Sequence, residues 1–280
     1  VAFDKDLNII HSEQKEYPLI YPNDGWVEIA PEELMSSVYA TIDPVIEACS
    51  DISAIGITNQ RETTLVWDAD SGEPIYNAIV WQDRRTAEQC MQLKKAGHEE
   101  AIKNATGLLL DPYFSSTKIS WILDNVDGAR KRADAGKLRF GTVDTYLLWQ
   151  LTHGEIYKTD VTNASRTNLY NIHLKEWDSE LLKIFNIPRS MLPEVQSSDS
   201  NYGTLVRGNK TIQISGVIGD QQSALVGQRC FQSGQMKATF GTGCFLMVNT
   251  GEESLQSASG LLNTLGYGLS GEVSYALEGS

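Results

Sequence analysis

Apolar positions along the chain fall into two kinds of block. Short runs with period two or continuous apolar character alternate with longer stretches in which apolar residues recur every three to four positions. The first kind predicts a hairpin over "VAFDKDLNIIHSE", turning at Lys5 to Asn8, and strands at "ISAIGIT", "TTLVWDA", "NAIVW", "LRFGTVD", "TIQISGVI", "KATFGTG" and "FLMVNTG". The second kind predicts helices over "PEELMSSVYATIDPVIEACS", with Pro31 in its first turn and a kink or break at Pro44, and over "RTAEQCMQLKKAG", "TKISWILDNVDGARKRADAG", "TYLLWQLTHG" and "DQQSALVGQ". The turn "DADSGEP" joins two of the strands, and Gly154 marks a helix stop. This order implies a layered α/β domain with a mixed sheet and flanking helices, and a second set of strands from about residue 236. "QSSDSNYG" reads as the loosest segment.

Composition narrows the function. The 280 residues are 41% hydrophobic and 21% charged, ordinary for a globular chain that holds one large or two smaller domains. A formal net charge of −13 argues against a charge-led nucleic-acid groove, which needs a local surplus of Lys and Arg. Cys49, Cys90, Cys230 and Cys244 form no CxxC pair and the four histidines do not cluster, which predicts free thiols, a reducing cytoplasmic setting and no zinc site. No apolar run approaches the roughly 20 residues that span a bilayer. The opening "VAFDKDLNII" and the closing "YALEGS" both read as cuts through secondary structure of a larger fold.

Several motifs are missing: there is no GxxxxGK[ST], no serine elbow and no metal-ligand helix. "GYGLSG" spells GxGxxG but leads into a strand pattern, where a dinucleotide site needs a helix. Four constellations remain. Arg61 and Glu62 in "NQRETT" are either a solvated pair at a strand end or a donor and an acceptor for vicinal hydroxyls. Trp81 is core, or an indole face for the carbon-bound hydrogens of a small ligand, and Tyr113 is a loop anchor or part of the same wall. Asp220, where strand gives way to helix, is an N-cap or a general base. Gly241-Thr242-Gly243 is a tight turn, or bare backbone N–H groups and a hydroxyl set against phosphate oxygens.

Taken together and in order, "GITNQRETT", "YNAIVWQDRR", "DPYFSSTKISWIL", "GTVDTYLLWQLT", "TDVTNASRT", "ISGVIGDQQSALVGQ" and "GTGCF" resemble the glycerol-phosphorylating branch of the FGGY carbohydrate kinase family. Residues 113 to 125 fit that family's first signature, and "TNQRETT" is particular to the glycerol branch. The resemblance implies an actin-like, RNase H-like fold of two domains about a cleft, with residues 1–228 as the polyol-binding domain and 229–280 as the start of the nucleotide-binding domain. It implies ATP-dependent phosphorylation of glycerol to sn-glycerol 3-phosphate with Mg2+, in a cytoplasmic homo-oligomer. By motif position, Arg61, Glu62, Tyr113, Asp220 and Gln221 would bind glycerol, Trp81 and Phe245 would wall its apolar edge, Asp220 would be the base, and Gly241, Thr242 and Gly243 would meet the nucleotide. The family's Asp-x-Gly-Thr-Thr hairpin and most of its second domain have no counterpart here, so the 280 residues alone are expected to be inactive. Phe240 replaces the Tyr usual in the glycerol branch. Two rivals are a sister pentulose kinase and a non-catalytic homologue; the latter is expected to lose Asp220 or the Gly-Thr-Gly turn, and both are present.

Overall fold

The computed structural model describes residues 1–241 and 244–279. Its centre is a mixed three-stranded sheet in the order Thr204–Arg207, Lys210–Gly219, Ala54–Asn59. The first pair is an antiparallel hairpin, whereas Lys210–Gly219 runs parallel to Ala54–Asn59 with Gln213 opposite Ala54 and Gly219 opposite Asn59. Both strands of the parallel pair therefore end at the same level, and the residues that follow them leave the sheet on the same edge.

Strand Leu65–Asp68 pairs antiparallel with Leu138–Gly141 and separates two apolar cores. Its alternation is the reason: Val66 packs into one core with Ile79, Phe140 and Ile119, while Leu65 and Trp67 pack into the other with Ile57, Ile214 and Val217. Helix Pro31–Ala48 has Pro31 at its start and continues through Pro44, so of the expected kink or break the break does not occur. Burial of Leu34, Met35 and Ile46 against the second core outweighs the penalty of roughly 3 kcal/mol for an interior proline. The predicted strand "NAIVW" shrinks to Ala78–Ile79. The predicted helix at residues 117–136 is two, Ser115–Asn125 and Ala129–Asp134, parted by Gly128 at φ 72°.

The segment read as loosest is pinned. Ser198 Oγ donates to Asp160 at 2.7 Å, the Tyr202 hydroxyl donates to the Ser197 carbonyl at 2.7 Å, and Ser270 N donates to Asp199 at 2.7 Å. A second sheet, antiparallel in the order Met236–Phe240, Cys244–Gly251, Glu272–Gly279, Leu262–Leu269, begins where the pattern placed it. The GxGxxG look-alike is its hairpin turn, with Ser270 and Gly271 both at positive φ. Met247 and Ala276 of this sheet pack on Leu225, in the helix Asp220–Gly227 that follows the central strand, and on Cys230, and Asn263 N donates to the Gly107 carbonyl at 3.1 Å. All four cysteines are free thiols. Among the described residues no helix is long and apolar enough to cross a membrane.

Candidate active site

The two parallel strand ends are latched to one short helix, Val161–Ala164. Asp160 caps it, accepting from Thr162 N and Asn163 N. Asn59 Nδ2 donates to Asn163 Oδ1 at 2.9 Å, and Gly219 N donates to Thr162 Oγ1 at 2.9 Å. Asp144 backs this latch, accepting from Thr142 and Thr159, and burial together with nearby Asp160 pushes its carboxyl up to about 7. The latch fixes where Arg61 and Asp220 emerge.

Arg61 and Glu62 are 2% and 1% exposed, so the reading as a solvated pair is overturned. Arg61 Nε lies 3.3 Å from Asp220 Oδ1 and 3.7 Å from Glu62 Oε1. Its two Nη groups donate to Glu278 at 2.9 and 2.6 Å, and Nη1 also donates to Gln222 Oε1 at 3.0 Å. Glu62 sits at φ 60°, a left-handed conformation that strains a residue with a Cβ by roughly 1–2 kcal/mol and here aims the carboxylate inward. Its Oε1 accepts from Arg166 Nε at 2.6 Å, and its carbonyl accepts from Ser115 Oγ at 3.0 Å. Nothing local requires that strain; the surrounding contacts hold it.

Asp220 is the first residue of helix Asp220–Gly227, and Gly219 is the cap, so the N-cap reading of Asp220 gives way. The Asp220 carboxylate accepts from Gln221 N at 2.7 Å, and its side chain stays 45% exposed. Gln221 is held by Lys237, whose Nζ donates to its Oε1 and to Thr239 Oγ1 at 2.9 Å. Burial lowers the Lys237 pKa, with the Glu278 carboxylate opposing the shift.

Tyr113 and Trp81 meet edge to face, ring centroids 5.7 Å apart. The Trp81 backbone N–H donates to Thr63 Oγ1 at 3.2 Å, which ties the main chain at Trp81 to the Arg61 loop. The fully buried Lys118 donates to the Tyr113 and Phe114 carbonyls at 2.6 and 3.3 Å, and burial brings its pKa down to about 7. Burial, then the Glu62 charge, pushes the Tyr113 phenol well up, so the hydroxyl keeps its proton. Trp81, Tyr113 and Phe245 line one cavity of about 490 Å³, together with Arg166 and Glu278. Gly241 is an exposed bend, whereas Thr242 and Gly243 lie outside the described residues.

Arg166 and Glu278 escaped the reading of the chain, and so did Lys237. The fully or nearly fully buried charges of Arg166 and Glu278 form a four-membered cluster with Arg61 and Glu62. Burial opposes the Glu278 charge, but Arg166 and Arg61 outweigh it and hold the carboxyl at about 2. Glu62 receives only Nε edges, so for it burial prevails and its pKa rises. In the sequence Arg166 stands out only as the one cation of "TDVTNASRTNLYNI", a largely polar stretch that gives no sign of its burial.

The family model for the N-terminal domain of the FGGY family of carbohydrate kinases matches residues 1–227. The chain belongs to this family. Among its FGGY relatives, the glycerol kinases of Fusobacterium nucleatum and Alteromonas mediterranea are each 56% identical over the whole chain. The chain spans 58% of the length of either relative. The crystal structure of Plasmodium falciparum glycerol kinase with ADP superposes with a TM-score of 0.90 at 40% identity, over 99% of this chain and 57% of that one. A ligand-bound xylulose kinase from Lactobacillus acidophilus, at 20% identity, covers 99% of this chain and 56% of its own with a TM-score of 0.84, and so shares the FGGY fold. The actin-like sugar kinase architecture inferred from the motifs is the one found.

Proposed function

We propose that the full-length protein is a glycerol kinase, transferring the γ-phosphoryl group of ATP to glycerol to give sn-glycerol 3-phosphate and ADP. The observation that carries the proposal is the parallel register that sets a half-exposed Asp220 carboxylate 3.3 Å from the buried Arg61 beside Glu62. Arg61 donates to neighbouring hydroxyls and Glu62 accepts from them, which are the two functions a vicinal diol asks of its site. Trp81 and Phe245 cover the carbon edge of the polyol, Tyr113 adds a neutral hydroxyl, and Gln221 fixes the orientation of the reacting end. Asp220 takes the proton of the attacking hydroxyl, a role typically worth about 10² to 10⁴ in rate.

Residues Gly241, Thr242 and Gly243 would take the nucleotide phosphates. Among the described residues no group of three or more His, Cys, Asp and Glu side chains stands ready for a metal, a donor set that suits Mg2+ arriving largely coordinated by phosphate oxygens and water. When bound, Mg2+ supplies neutralisation of polyphosphate charge. The protein's own share is alignment and exclusion of water. With this reading go a polyol domain at residues 1–228, the beginning of a nucleotide domain at 229–280, a cytoplasmic location and a homo-oligomeric full-length enzyme. Because the chain spans 58% of its relatives, residues 1–280 alone are inactive on this proposal.

The test is ADP release by the full-length parent with glycerol and with a panel of pentuloses. Glycerol is to be the fastest acceptor, and Asp220→Asn is to lower kcat by about 10² to 10⁴ while glycerol binding holds within a few-fold. A pentulose turned over faster than glycerol would assign the protein to a sister kinase.

A further inference from the structure

Arg166 is fully buried, yet its Nη1 and Nη2 have no hydrogen-bond partner among the described residues. Nη1 does lie 3.0 Å from Glu278 Oε2, but off the direction in which its N–H bonds point, so the contact is one of charge. Nε alone is committed, to Glu62 at 2.6 Å. The guanidinium packs over the Tyr113 and Phe114 rings, 5.7 and 5.2 Å from their centroids, and lines the same cavity as Trp81 and Phe245. Leaving such donors unpaired on a buried cation is costly, and this cation lies on the wall of a cavity.

The chemistry of that ligand follows from the charge count and from the order of contacts. Arg61 and Arg166 are matched one for one by Glu62 and Glu278, so the cluster is neutral and favours an uncharged hydroxyl over a phosphate or carboxylate. Asp220 touches Arg61, Arg61 touches Glu62, and Glu62 touches Arg166, which places Arg166 at the opposite end of the row from Asp220. On the reading of Asp220 as base, we propose that Arg166 donates to the polyol hydroxyl farthest from the transferred phosphoryl group, and so sets specificity for a three-hydroxyl acceptor.

The experiment uses the full-length enzyme with glycerol and with 1,2-propanediol, which keeps the reacting hydroxyl and its neighbour but lacks the far one. In Arg166→Gln, KM for glycerol should rise about 10- to 100-fold, the range of one hydrogen bond to a charged group, with kcat nearly unchanged and with propanediol shifting by less than about 3-fold. Arg166→Lys keeps the charge between Glu62 and Glu278, and so serves if the glutamine variant fails to fold. It should narrow the preference for glycerol over the diol in the same direction. Equal shifts for both acceptors, or an unchanged preference in Arg166→Lys, overturn the assignment and leave Arg166 a positioning residue for Glu62. A wild-type enzyme that phosphorylates no glycerol refutes the functional reading itself, an outcome visible before any variant is made.

Discussion

Replacing Gly219 by alanine adds one methyl group under the stem of Arg61. The backbone there, φ −61° and ψ 151°, suits any residue, so the substitution introduces no dihedral strain. Its whole effect is steric: an added Cβ would stand 2.8 Å from both Cγ and Cδ of Arg61 and 3.1 Å from Gln222 Oε1. Carbon contacts relax at about 3.5–4.0 Å, so the stem must retreat by about 1 Å. The guanidinium beyond it has little room, being held by Glu278 at 2.6 and 2.9 Å and by Gln222 at 3.0 Å. Overpacking of this kind costs about 1–3 kcal/mol, and each charged hydrogen bond stretched out of range adds a loss of about 1.5–3 kcal/mol in the site. We therefore expect the full-length Gly219→Ala variant to raise KM for glycerol by about 10- to 100-fold while nucleotide affinity is kept. Gly216→Ala in the same strand is the control. Its Cβ would find the Ser198 carbonyl at 3.8 Å and Gly56 Cα at 3.9 Å, ordinary contact distances, and should leave KM as it is. Wild-type KM in Gly219→Ala, or equal damage from Gly216→Ala, would refute the claim that this strand end exists to seat Arg61.

Glu278 makes stability depend on acid. Its folded-state pKa, about 2, lies below its ordinary 4.5, so its contribution is complete above about pH 4.5 and is lost as the pH falls towards 2; by linkage the span corresponds to ~3 kcal/mol. Urea unfolding at pH 3 and pH 7 should show this slope as the difference between wild type and Glu278→Gln, because Asp144, raised to about 7, acts in the opposite sense in both; the variant should also cost about 3–5 kcal/mol at neutral pH by leaving two buried guanidiniums underpaired. Gly107→Ala tests the docking of the second sheet: at φ 73° its Cβ would fall 2.2 Å from the Asn263 carbonyl oxygen, a backbone atom with nowhere to go. A loss of more than about 2 kcal/mol and faster hydrogen exchange at the Asn263 amide are expected.

The elements that local periodicity controls were legible in the sequence, and so was the pairing of a strand end with a helix start at Asp220. A break at Pro44 and a loose 196–203 segment do not occur because the outcome is set by packing and by hydrogen bonds to Asp160 and Ser270, remote groups that local composition does not register. Arg166 and Glu278 were hidden for the same reason: Arg166 answers to Glu62 across 104 residues, and Glu278 to Arg61 across 217. What converts those distant charges into one site is the register of a single parallel pair. If Lys210–Gly219 slipped by one residue against Ala54–Asn59, Asp220 would move about 3.3 Å along the sheet edge and every side chain of the strand would exchange faces. The contact of Asp220 with Arg61, itself 3.3 Å, does not survive such a step, and Ile212, Ile214 and Val217 would leave the core. Burial of those three side chains is therefore what holds the Asp220 carboxylate beside Arg61.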